Sequence, residues 1–151
     1  MARILKGSRS FGINLDGNVG PKGGNERSDV GIVQYALLLL SSGIQDRQPT
    51  GMGPPTGNSR RALSVPGQGP IAVDGFFGPQ TRAYIDAYQA DRVRSPGPGS
   101  GPLPPPDGNF GNFRRTSWNF GLLEEDVRRN ILDAMRFDPR CPTFLKELFL
   151  S

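Results

Sequence analysis

Glycine and proline punctuate this chain densely, 21 and 15 times in 151 residues, and that punctuation limits the fold more than any other feature. Proline removes a backbone donor and fixes φ, and glycine weakens helix and strand alike. Clusters of the two end whatever element precedes them. The stretches left between them are short and show helical rather than alternating spacing of apolar residues, so a mainly α chain is expected. It would consist of three short helices on long Gly/Pro-rich loops, with an extra short helix at the C-terminus. Residues 1–151 read as one domain with an irregular leader (1–27), a long loop (44–70), a Pro/Gly-rich insert (95–109) and a C-terminal extension (137–151).

The first helix is predicted to begin at "NERSDV", where Asn25 or Ser28 can cap exposed N–H groups. Val30, Val33, Leu37 and Leu40 then form one face, widened by Ile32, Ala36 and Leu39, and Gly43 ends the helix. The second opens at Gly78-Pro79, because proline at the first helical position already has helical φ and lacks only an N–H that would go unpaired. Thr81, Tyr84, Ile85 and Tyr88 share its inner face, and Arg82, Asp86 and Gln89 the polar one. The third is "LLEEDVRRNILDAMR", with Leu123, Val127, Ile131 and Met135 turned inward. "DPRCP" breaks it, and "TFLKELFL" supplies a terminal helix whose docking face is Phe144, Leu145, Leu148 and Phe149.

The side-chain inventory excludes several chemistries. There is no histidine, which removes imidazole bases, Ser-His-Asp and Cys-His triads and His-ligated zinc. One cysteine, Cys141, cannot form an internal disulfide or anchor a thiolate metal site. No metal and no cofactor is expected. A net charge of +4 permits an acidic partner but selects none. The basic clusters are no longer than the pairs Arg60/Arg61, Arg114/Arg115 and Arg128/Arg129, so no nucleic-acid partner is expected. "YALLLL" is too short for membrane insertion. The N-terminus has no apolar core of the secretory kind. The expectation is therefore cytoplasmic synthesis with no signal peptide, and any export by a non-classical secretion route or within a particle.

One stretch combines a turn, an aromatic pair and a helix start: "VDGFFGPQTRAYIDAYQ", Val73 to Gln89. It resembles the signature of the peptidoglycan-binding domain family, small three-helix modules of the bacterial cell wall. The matching residues are Val73, Asp74, Gly75, Phe77, Gly78, Pro79, Thr81, Ala83, Ala87, Tyr88 and Gln89. Upstream, Asn25, Asp29, Val30, Val33 and Gln34 are similar to the family's first helix. Downstream, "PDGNFG" (106–111) echoes "VDGFFG" without the following Pro and Thr, and "LDGNVG" (15–20) is a weaker echo. The resemblance implies a small three-helix peptidoglycan-binding-like domain that binds carbohydrate without catalysis and anchors itself or a partner at the wall.

Within the signature, Asp74, Gly75, Phe77, Gly78, Pro79 and Thr81 read as fold-forming. Asp74 accepts N–H bonds in the turn, Gly75 supplies an unusual backbone conformation, Gly78 a close turn, and Phe77 packs inward with Ile85. Sugar rings offer apolar faces with polar edges, so a binding groove wants exposed aromatics beside amide or guanidinium donors. Phe76, Tyr84, Tyr88 and Trp118 are the aromatic candidates, with Arg82, Gln34 and Gln80 as polar partners. Glu124, Glu125 and Asp126 form the nearest thing to a glycosidase carboxylate set, but adjacent helical carboxylates diverge, and their place in a first turn suits the helix dipole. The other class of function is a structural or adaptor module of a secretion system or phage-like particle, meeting a protein partner through the C-terminal helix.

Overall fold

A computed structural model describes residues 3–6, 11–41, 63–94, 103–111, 118 and 131–147. The described chain is mainly helical. Two short strands come first, β1 (Arg3–Lys6) and β2 (Phe11–Asn14). The helices α1 (Arg27–Ser41), α2 (Pro79–Arg94), α3 (Ile131–Phe137) and α4 (Thr143–Lys146) follow.

The strands correct the expected irregular leader. They pair antiparallel, with Ile4 opposite Ile13 and Arg3 opposite Asn14. Each strand has only four residues, too few for alternation to stand out among the glycines. A further antiparallel bridge joins Val19 to Phe110 through two backbone hydrogen bonds of 2.8 Å. Through it the "LDGNVG" and "PDGNFG" segments lie side by side.

Helix α1 is buried almost all round, from Asp29 to Leu37 without interruption and again at Leu39 and Leu40. A helix apolar on every side belongs at the centre of a fold, and both α2 and α4 pack against it. Gly31 makes the α4 contact possible: a Cβ there would stand 2.6 Å from a ring carbon of Phe144 and 3.0 Å from Leu145. Asn25, one of the two expected caps, is engaged elsewhere. Asn25 adopts φ 51°, a conformation asparagine tolerates, and its side chain bonds back to Gly20 and Gly23. Ser28 lies inside the helix.

Helix α2 starts at Pro79 as expected, with the Gly78 carbonyl accepting from Arg82 N at 3.0 Å. Its inner face is Thr81, Tyr84, Ile85 and Tyr88, all buried. Gln89 is a correction: assigned to the polar face, it is fully buried. In the C-terminal part, Tyr35 on α1 donates to Asp138 just after α3 at 2.9 Å. Arg140 grips the same carboxylate through its backbone N–H and its guanidinium, at 2.8 to 3.2 Å. This hydrogen bonding holds Asp138 down at about 2. Desolvation and the Asp138 bond push the Tyr35 phenol up. Cys141 is buried, and desolvation raises its thiol to about 11.

Glu124, Glu125, Asp126, Leu123 and Val127 lie outside the described residues, as do Gly43, the 44–62 part of the long loop, the 95–102 part of the insert, and Leu148 and Phe149.

Candidate functional site

The organising group of the signature is Gln34, in the middle of α1. Its side-chain carbonyl accepts the backbone N–H groups of Asp74 (3.1 Å) and Gly75 (2.9 Å). Its NH₂ group lies 3.0 Å from the Asp74 carboxylate, 3.0 Å from the Phe76 carbonyl and 2.9 Å from the Thr81 hydroxyl. One amide thus joins the turn to both the first and the second helix. Asp74 closes the turn by accepting from Phe76 N at 2.9 Å, and Gly75 sits at φ 80°, where side chains are strained.

The same arrangement recurs one helix later. Gln89 on α2 accepts from Asp107 N (3.1 Å) and Gly108 N (2.8 Å) and donates to the Asn109 carbonyl (2.9 Å). Asp107 accepts from Asn109 N at 2.9 Å, and Gly108 has φ 76°. The "PDGNFG" echo is therefore a structural repeat of "VDGFFG". The third echo is built differently: Gly17 N donates to the buried Asp29 carboxylate at 3.0 Å, with no glutamine involved. Burial raises the Asp29 carboxyl above the usual range.

This geometry removes most of the expected ligand set. Gln34 is buried and its amide is fully engaged in the turn. Tyr84 is buried, and its hydroxyl donates to the Gly69 carbonyl at 2.7 Å, fastening the end of the long loop to α2. Gln80 fastens the same segment, accepting from Ala72 N at 3.0 Å and donating to Pro70 O at 3.3 Å. Tyr88 packs in the core, 5.7 Å from the Phe110 ring. Trp118 is also buried, with its indole N–H on Pro105 O. Aromatic type alone could not separate these from a groove, because a tyrosine or tryptophan that finds a carbonyl partner is as well placed inside.

Two expected residues do face solvent. Phe76 is 67% exposed, unusual for so large an apolar ring. Arg82 is exposed and sits 3.9 Å from Asp86, one helical turn on. The fold-forming assignments are retained with one change. Phe77 is half-buried against the core, whereas Gly78 has neither positive φ nor any atom near a Cβ position, so no close approach requires glycine there.

Sequence reasoning missed Arg27, the first residue of α1. Its guanidinium carbon lies 5.6 Å from the centre of the Phe76 ring and 4.5 Å from that of Phe144. The signal was available: a cation at the positive end of a helix opposes the dipole and asks for another reason to be there. Among the described residues no group of three His, Cys, Asp or Glu side chains is placed to hold a metal ion, and no helix is long and apolar enough to cross a membrane. No family model, no curated protein and no solved structure matches the chain.

Proposed function

We propose that this protein is a non-catalytic binder of bacterial cell-wall peptidoglycan that anchors itself or a partner at the wall. The observation that carries the reading is Phe76. A turn held by Gln34 and Asp74 presents an exposed aromatic ring at the variable position of the Val73–Gln89 signature, beside the Arg27 guanidinium. A rigid aromatic next to a cationic donor suits a ligand made of sugar faces and peptide carboxylates. Co-sedimentation with purified insoluble peptidoglycan tests it. Wild type is expected in the pellet and Phe76→Ala largely in the supernatant, with Arg82→Ala reporting whether the α2 surface takes part. Wild type remaining in solution overturns the proposal.

A second reading, an adaptor within a secretion apparatus or phage-like particle, is favoured by Phe137, which is 80% exposed at the end of α3. The described half of the face first expected to serve it is already in use: Leu145 is buried and Phe144 packs on Gly31 and Arg27. Co-purification from the host with wild type and Phe137→Ser separates the readings, since only the adaptor reading requires a partner lost in the variant.

A further inference from the structure

We infer that Arg27, Phe76 and Phe144 form a receptor for the terminal carboxylate of a short peptide. Identifying that peptide with a wall stem peptide rests on the wall-binding reading above.

The site is built from three separate parts of the chain. Arg27 opens α1, Phe76 comes from the signature turn and Phe144 from α4. Two glycines make room for it. A Cβ on Gly75 would meet Arg27 Cγ at 2.4 Å and the Phe144 ring at 3.2 Å, and one on Gly31 would meet the same ring at 2.6 Å. The arginine stem therefore runs across the bare backbone of the turn, and the ring beneath it is seated by a bare stretch of helix.

The guanidinium is held against aromatic rings, an arrangement that orients the group without using its in-plane N–H donors. Among the described residues no carboxylate pairs with it. Asp29, two residues further along α1, is buried and bonded to Gly17 instead. The positive pole of α1 adds potential of the same sign. A positioned, charged fork with free edge donors matches a carboxylate bidentately. The exposed face of Phe76 beside it would cover a small apolar side chain, which favours a peptide end in alanine-like residues over a bulky or polyanionic ligand.

The test is an NMR titration of the ¹⁵N-labelled full chain with N-acetyl-Ala-Ala as the free acid and as its C-terminal amide. The acid is expected to move the Arg27 Nε–H and Gly75 N–H signals in a saturable way, and the amide to bind about tenfold more weakly or worse. Arg27→Lys keeps the charge but loses the fork, and Phe76→Leu keeps the apolar bulk but loses the ring. Both are expected to weaken acid binding by about tenfold with an unchanged helical circular dichroism signal. Equal binding of acid and amide, or an Arg27→Lys protein that binds like wild type, overturns the inference. Co-sedimentation keeps the two proposals apart. A wild type that pellets with wall but ignores the acid leaves wall binding standing and removes this site. A wild type that selects the acid but does not pellet leaves the carboxylate site standing and removes the wall as its source.

Discussion

Gln34 and Gln89 are buried primary amides whose polar atoms meet backbone and side-chain partners in the turns that follow their helices. Removing such a side chain strands buried N–H groups, each costing about 1–3 kcal/mol. Gln34→Ala is therefore expected to lower unfolding free energy by about 2–4 kcal/mol in urea titration, a large part of what a small domain has. Gln80→Ala, whose bonds are exposed, is expected to cost less than about 1 kcal/mol. Equal losses would refute the difference in role. Asp138 gives a pH prediction at the same scale. Its carboxyl lies below the ordinary 3.8 when folded, at about 2, so the stabilisation is complete above the ordinary value and is lost as pH falls through the folded one. Asp29 works in the other direction, because burial raises it and protonation relieves a cost. Comparing wild type with Asp138→Asn cancels the Asp29 contribution. The wild-type advantage in urea is expected to be full at about pH 6 and mostly lost at about pH 2; an advantage independent of pH would remove Asp138 as its source.

At the scale of elements, α1 is the post against which α2 and α4 pack, and Gly31 is where α4 meets it. Gly31→Ala would gain helix propensity but force Phe144 and Leu145 to move. The expected balance is a loss of about 1–3 kcal/mol, read in thermal or urea unfolding together with changed Phe144 and Arg27 signals in NMR. A stabilised variant would show that α4 yields freely. Helical spacing and Pro79 made α1 and α2 legible in the sequence, and the burial of Thr81 and Ile85 followed from it, whereas Tyr84 and Tyr88 stood on the inner face and among the ligand candidates at once. The hairpin was not legible, because four-residue strands leave too little alternation to see. Nor was the fate of the glutamines: a polar residue at an inward position looks like a surface residue until its partners, 40 residues away for Gln34 and 18 for Gln89, are in place. For the same reason the candidate site was only half legible, with Phe76 found and Arg27 missed, since their contact joins distant segments.

In the whole molecule, two helices each end their work by gripping an Asp-Gly turn further along the chain, across 40 residues in one case and 18 in the other. The grip is the same although the intervening lengths differ, so the geometry of the turn does not depend on how much chain separates it from its glutamine. Loop-closure entropy grows only slowly with length. Replacing residues 44–60 by a short Gly/Ser link is accordingly expected to leave the Gln34 side-chain NH₂ and Gly75 N–H signals in place and to change unfolding free energy by no more than about 1 kcal/mol. Loss of those signals would mean that the segment helps to form the grip. The glutamine works as a latch indifferent to the length of its strap. Ancestors of such a chain could lengthen or trade the strap without rebuilding the door, so diversity among descendants should collect between each latch and its catch.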